Sequence, residues 1–451
     1  MQELTQRRLL ALTARAQVDG RLPSMVAGVV RGGTLAWSAA RGQFGDGTGD
    51  QPTTGTQYRI GSITKTFTAV QVMQLRDAGA LSLDTPVDDL VPGTPVGGRT
   101  VGQLLAHAAG VRAETTGDWW ERSPGRDWPE LVEPLDETDL PHPPGGRFHY
   151  SNVGYAVLGE IVARLRDSTW EDALRRDVLE PLGLRRTTPQ TQAPSAPGLA
   201  VHPWAPLVQP EPAHDYRAMA PAGQLWSTVE DLARWACFLL GDTGDVLAPD
   251  TLAEMAEPGQ LASLDPVPTG YGLGLQILRV DGRQLVGHLG SVPGFLAGLF
   301  VDPAEHTGVV TLANGTSGLS GDLPARFLAA VRELEPHIPG AWTPEPLPDD
   351  LGLDVLGIWY WGPAAYALRL EAGGVLLVTP LGARGRSSRF RPRGDGTWVG
   401  LDGYYAGEVL TVGRAADGRA AHLDIGSFSF TRSPYPPDAP LPSQGHPEGW
   451  R

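Results

Sequence analysis

Ser62 and Lys65 stand three residues apart in Ser62-Ile63-Thr64-Lys65, a spacing that puts a hydroxyl and an amine on one face of a helix. A serine hydroxyl is a weak nucleophile until a base takes its proton. An amine can act as that base when its surroundings lower its pKa. The start of a helix also favours negative charge developing on the serine oxygen. Ser-x-x-Lys recurs by chance, but the lysine count sharpens it. Of the 36 lysines and arginines, Lys65 is the only lysine. Arginine cannot be deprotonated in a protein and lysine can, so the single lysine sits where a titratable amine is useful.

Two further groups of residues carry polar chemistry. Tyr150-Ser151-Asn152 follows Pro144-Gly145-Gly146-Arg147. A tyrosine beside a lysine can act as a general base or relay a proton to a leaving group, and an asparagine amide can bond both the lysine and a substrate carbonyl. His149 points away from Tyr150 if the segment is extended, and it is set aside. Gly287-His288-Leu289-Gly290 closes an apolar run. A histidine there can offer a donor to a substrate, and its glycines allow close backbone approach. The N–H of Ser291 could join that of Ser62 as an oxyanion hole. Gly290 and Trp226 are placed as substrate contacts. No HExxH, Cys/His cluster or G-x-x-x-x-G-K-[ST] loop occurs, and no metal or cofactor is implied.

These residues need elements to hold them. Met25–Val30 and the segment through Trp37 form a hairpin about Arg31-Gly32-Gly33. From Ser62 the pattern turns helical, with Ile63, Phe67, Val70 and Gln74 on one face and Ala78-Gly79 at the end. Further helices are expected over 101–108, 158–165, 170–179 and 228–240, the last capped by Ser227-Thr228. The period then becomes two. Tyr271–Val280 and Arg283–His288 make a hairpin about Asp281-Gly282, followed by strands 295–301 and 308–312 and a helix 323–334. The expected class is α/β (α+β), with one antiparallel sheet built from both ends of the segment. Residues 337–350 read as a Pro-rich linker. Residues 351–434 are short strands split by Gly373-Gly374, Asp395-Gly396, Asp402-Gly403 and Asp417-Gly418, which suggests a small antiparallel barrel. Residues 435–451 read as a loose tail.

The chain has 451 residues, 41% apolar and 19% charged, with net charge -15. Two soluble domains are the natural expectation, and nucleic acid is an unsuitable partner for so acidic a chain. One cysteine, Cys237, excludes an internal disulfide. The N-terminus reads as an amphipathic helix and not a signal peptide. No run of about 18 apolar residues suggests a membrane span, so a cytoplasmic location is expected.

Taken in order, the motifs resemble the penicillin-binding-protein and class C β-lactamase family of serine hydrolases. The similarity extends over YRIGSITKTFTAVQVMQL, TVGQLLAHAAGV, PPGGRFHYSNVGYAVLGEIV, PAGQLWSTVEDLARW, GYGLG and GHLGSVPGF, covering residues 20–335. The resemblance implies a sheet-and-helix region beside an all-helical one, with the site between them. It implies Ser62 as acyl-forming nucleophile, Lys65 and Tyr150 as the acid/base pair and Asn152 as a substrate contact. Where many β-lactamases carry Lys-Thr-Gly, this chain has His288-Leu289-Gly290, and loss of that fixed cation argues against efficient β-lactam hydrolysis. With the C-terminal barrel, which looks lipocalin-like, the chain is most similar to the penicillin-binding-protein-type thioesterases. Those enzymes release nonribosomal peptides from a carrier protein by head-to-tail cyclisation. The implied substrate is a peptidyl thioester ending in a D-residue, presented on a carrier protein. The alternatives are an esterase, D-aminopeptidase or D,D-peptidase-like hydrolase, or a non-catalytic penicillin-binding sensor. The segments Trp119–Trp128 and His202–Arg217 are candidates for excluding water, and Arg432 for binding a substrate carboxylate.

Overall fold

Apolar strands at both ends of the first 336 residues meet in one sheet, which brings chemistry from distant parts of the sequence together. A computed structural model of the chain describes residues 1–45, 47–263, 269–336, 338, 341–344, 352–382 and 385–435. Contacts divide it into two units, Met1–Ile338 and Pro339–Arg451. Most of the linker expected over 337–350 and nearly all of the tail expected over 435–451 lie outside the described residues.

In the first unit, α1 (Glu3–Asp19) leads into β1 (Ser24–Arg31) and β2 (Thr34–Gly42), the expected hairpin. The short β3 (Tyr58–Arg59) precedes a single 3-10 turn, Gly61–Ile63, and then α2 (Thr64–Asp77). Two three-residue strands, β4 (Leu199–Val201) and β5 (Val208–Pro210), make a hairpin of their own, and β6 (Trp226–Ser227) pairs with β3. The remaining strands are β7 (Gln260–Ser263), β8 (Thr269–Tyr271), β9 (Gln276–Val280), β10 (Arg283–Val292), β11 (Phe295–Asp302) and β12 (Thr307–Ala313). They complete an eight-stranded sheet of order β2-β1-β12-β11-β10-β9-β8-β7. The first hairpin docks onto the last strand, with Met25 opposite Ala313 and Arg31 opposite Thr307. Helices α1 and Leu323–Leu334 cover one face through Leu9, Leu12, Phe327 and Val331.

The other face carries the catalytic helices. The expected one-sided pattern of α2 proves too narrow: eleven of its fourteen residues are buried, including Thr64, Lys65, Thr66 and Thr68. Its hydroxyls are satisfied locally, Thr66 Oγ1 by the Ile63 carbonyl at 2.8 Å and Thr68 Oγ1 by the Pro221 carbonyl at 2.9 Å, as burial of polar groups requires. Phe67 stacks on Trp235 of the helix Val229–Leu239 at 3.9 Å. That helix starts as expected, with the Thr228 side chain accepting from the Asp231 N–H. No helix of the described residues is long and apolar enough to cross a membrane.

The second unit is a closed barrel of eight consecutive antiparallel strands, β13 (Gly357–Trp361) through β14 (Ala364–Leu370), β15 (Leu376–Pro380), β16 (Ser388–Pro392), β17 (Trp398–Gly400), β18 (Val409–Arg414), β19 (Ala420–Ile425) and β20 (Phe428–Thr431). Tyr360 pairs with Thr431 to close it. Trp359, Tyr366, Phe390, Trp398 and Phe430 are buried in one cluster, so side chains fill this barrel as they do other small ones.

Candidate active site

The turn before α2 is shaped by glycine. Gly61 has φ +51, and a Cβ there would lie 2.7 Å from the Ser291 nitrogen. Only glycine accommodates both the left-handed backbone and so close an approach. Gly290 plays a matching part on β10, since a Cβ at this residue would sit 2.0 Å from the Ile60 carbonyl. Ser62 and Ser291 are thereby brought side by side from residues 229 positions apart. Pairing of β10 with β9 ends at Gly287, and the Leu289 N–H turns to that side, reaching Gln276 Oε1 at 2.9 Å. Strand alternation then turns the Ser291 N–H to the same edge, away from β11, and the Ser291 nitrogen lies against Gly61, next to Ser62. Gly290 itself is buried against Ile60 and serves this approach rather than presenting itself to a substrate.

Lys65 is fully buried and its ammonium nitrogen has three partners. It lies 3.0 Å from Ser62 Oγ, 2.7 Å from Asn152 Oδ1 and 2.7 Å from the Ala222 carbonyl. Burial pulls its pKa from 10.5 down to about 7, with the carboxylates of Glu114 and Glu121 opposing that shift. Two of its partners can only accept. A neutral amine has two N–H bonds and one lone pair. With both N–H bonds given to Asn152 and Ala222, the lone pair faces the serine hydroxyl. This is the arrangement a general base needs.

The Tyr150 hydroxyl interacts with the Ser62 side chain, and the Tyr150 ring lies 4.9 Å from Lys65 Nζ. Burial drives its pKa far above the usual phenol value, so it rests as a proton-bearing phenol. Ser151 caps the helix Asn152–Arg166 by accepting from the Gly154 N–H at 2.9 Å. The preceding segment straps the motif down, Ser151 Oγ to the Arg112 carbonyl at 2.6 Å and Asn152 N–H to the Ala113 carbonyl at 2.8 Å.

His288 departs from the expectation of a donor offered to substrate. It is 1% exposed. Nδ1 contacts the Leu289 carbonyl, which only accepts, so Nδ1 holds the proton; Nε2 then accepts from the Tyr271 hydroxyl at 2.9 Å. Burial and the charge on Lys65 lower its pKa to about 3, leaving a neutral ring with no free donor. Its ring lies 6.2 Å from that of Tyr150. Trp226 is likewise buried, its ring 5.1 Å from Phe295 as part of the wall under β3. Arg432 is spent within the barrel. Its guanidinium lies 3.6 Å over the Trp359 ring and donates to the carbonyls of Asp354, Leu356 and Ile358.

Two residues outside the three motifs join the site. Glu114 accepts from Asn152 Nδ2 at 2.7 Å and from Trp120 Nε1 at 2.6 Å. It thereby fixes which end of the Asn152 amide faces Lys65. His107 packs 4.2 Å from Tyr150. His107 is the histidine of the segment TVGQLLAHAAGV and Glu114 lies between that segment and Trp119, but no spacing in the sequence ties either to Tyr150 or Asn152. The two loop candidates prove to be one wall. Arg122 pairs with Glu211, the Gly125 N–H donates to the Asp215 carbonyl at 2.9 Å, and Trp120 meets Tyr216 at 4.7 Å. Buried Arg59 braces that wall through the His214 carbonyl, at 2.6 Å, and the Tyr216 ring, at 4.0 Å. Among the described residues no cluster of three or more His, Cys, Asp or Glu side chains is arranged to hold a metal ion.

Comparison with known proteins agrees with this geometry. Residues 9–333 match the family described as Beta-lactamase, and residues 348–432 match a domain of unknown function, DUF7586. The chain is 31% identical to Penicillin-binding protein 4 of Amycolatopsis lactamdurans over 350 residues, 73% of this chain and 85% of that one. A D-stereospecific amidohydrolase from Streptomyces sp. aligns with 73% of this chain and 98% of its own at 26% identity and a TM-score of 0.57. SurE, solved with D-Leu, shares the fold over 96% of this chain and 100% of its own, at 24% identity and a TM-score of 0.60. With the family matched across 325 residues and the serine, lysine and tyrosine gathered at one point, the chain belongs to the beta-lactamase family of serine hydrolases.

Proposed function

We propose that this enzyme transfers a peptidyl group ending in a D-residue from a carrier-bound thioester to Ser62, then to the peptide's own N-terminal amine. The observation that carries the acyl-transfer step is the set of contacts at Lys65. Two obligate acceptors leave its lone pair to Ser62.

In acylation, Lys65 takes the Ser62 proton as Oγ attacks the thioester carbonyl. The N–H groups of Ser62 and Ser291 hold the oxyanion. The tetrahedral species collapses, the C–S bond breaks, and the thiolate leaves as a thiol with the Tyr150 proton, which Lys65 replaces. In the second half the amine attacks the ester. Its proton passes through Tyr150 and Lys65 back to Ser62 Oγ as the C–O bond breaks. Lys65 is the acylation base in this scheme because Tyr150 holds its proton so firmly. Cyclisation prevails over hydrolysis if the joined loops 119–128 and 202–217 keep water from the ester.

The D-residue preference rests on likeness to SurE, solved with D-Leu, and to the Streptomyces D-stereospecific amidohydrolase. The second of these favours a simple hydrolase as the other reading. Mass spectrometry of products from a linear peptidyl pantetheine thioester, with a free N-terminus and a C-terminal D-residue, separates the two. A cyclic product that disappears in Ser62→Ala is expected. Linear acid alone, with D-aminoacyl amides or simple esters cleaved, would establish the hydrolase. No turnover, with a stable penicilloyl adduct on Ser62, would make the chain a sensor.

A further inference from the structure

His107 is buried at 2% exposure, yet nothing in the acyl-transfer scheme uses it. It follows the helix Val101–Leu105 with φ +53, a conformation that costs a residue other than glycine about 1 kcal/mol or more. Its backbone and side chain grip the two residues flanking Tyr150. The His107 carbonyl accepts the His149 N–H at 2.8 Å, and Nδ1 accepts the Ser151 N–H at 3.1 Å. The imidazole lies against the Tyr150 ring, centroids 4.2 Å apart.

An amide N–H can only donate, so Nδ1 is bare and Nε2 carries the proton. Nε2 has no hydrogen-bond partner among the described residues. The rings of Tyr155 and Tyr271 enclose the imidazole at 5.0 and 4.6 Å, with Phe148 at 5.8 Å. Burial opposes a second proton on it, and the charge on Lys65 adds to that. A protonated Nδ1 would point its hydrogen at the Ser151 N–H and break the grip.

We propose that His107 is a positioning residue for Tyr150, holding the extended 149–151 segment from both sides so that the phenol meets Ser62. The proposal rests on the reading of Ser62 as the acylated nucleophile. It would account for a left-handed histidine where the end of a helix ordinarily takes glycine or asparagine.

The test is a cycle of variants in the full chain, with single-turnover acylation of Ser62 by a D-aminoacyl pantetheine thioester, whose leaving thiolate takes the Tyr150 proton, as readout. Wild type must first acylate at Ser62; its failure to do so overturns the acyl-transfer reading itself. Given acylation, His107→Phe keeps a ring but strands the Ser151 N–H. It is expected to lower the rate by about 10-fold to 100-fold, the scale of a small misplacement, with KM little changed. His107→Asn, whose Oδ1 can take the place of Nδ1 and which tolerates the left-handed backbone, should recover most of the loss. In a Tyr150→Phe background the His107→Phe loss should nearly vanish, because residues acting as a unit are not additive. Equal losses in both backgrounds, or no loss in either, would overturn the proposal. Should the variants fail to fold, nitrogen-15 NMR of the wild-type ring decides. An Nε2–H tautomer unchanged from pH 6 to 8 supports the grip, and a proton on Nδ1 refutes it.

Discussion

Replacing Lys65 with arginine keeps a positive charge and removes the base. With its pKa near 7, about half of Lys65 is free amine in neutral solution. An arginine in that position leaves fewer than about one molecule in 10⁵ unprotonated. The loss is then limited by what a positioned base supplies, roughly 10²-fold to 10⁴-fold. The sign of the pH effect follows from the same contacts. Only the neutral amine turns a lone pair to Ser62, so wild-type kcat/KM should climb as pH rises through about 7. The assay is stopped-flow acylation with an activated ester from pH 5 to 9, with intact-protein mass confirming the adduct on Ser62. A Lys65→Arg enzyme within tenfold of wild type, or a wild-type profile flat across this range, would refute the assignment of Lys65 as base.

Three other outcomes follow from the same contacts. The folded chain holds Lys65 near 7 against an ordinary 10.5, so the unfolded chain binds more protons and stability rises with pH between those values; at pH 7 this costs about 4 kcal/mol. Lys65→Met removes that cost while stranding two acceptors at about 1 kcal/mol each, so a calorimetric Tm above wild type is expected, and a lower Tm would contradict the buried amine. Glu114 raises the Lys65 pKa, so Glu114→Gln should move the acid limb of kcat/KM to lower pH; movement the other way would show that its charge acts differently. Gly290→Ala drives a Cβ into the Ile60 carbonyl and must part β10 from the Ser62 turn. If Ser291 completes the oxyanion hole, acylation should slow by about 10²-fold or more, measured in the same stopped-flow assay; an unchanged rate would remove Ser291 from the site.

Most of the framework was legible in local patterns of the chain. Strand and helix periods placed the β1–β2, β9–β10 and β11–β12 segments and the helices at 64, 229 and 323, because amphipathic spacing and turn residues act locally. The sequence also singled out Ser62, Lys65 and Tyr150, through two short motifs, Ser62-x-x-Lys65 and Tyr150-Ser151-Asn152, and a lysine count of one. Tertiary structure decided the rest. A sheet joining residue 25 to residue 313 carries Ser291 to Ser62, a contact that no local pattern encodes. His288 kept its place but lost its expected donor, since proton placement depends on Tyr271 and the Leu289 carbonyl. Arg432, read as a ligand for substrate, is held by three carbonyls and a tryptophan that meet it only when the barrel closes. Glu114 and His107 went unseen because each acts on residues about 40 positions away. Hydrogen-bond direction and burial at a site are properties of the folded neighbourhood, and a lysine becomes a base only where that neighbourhood excludes water.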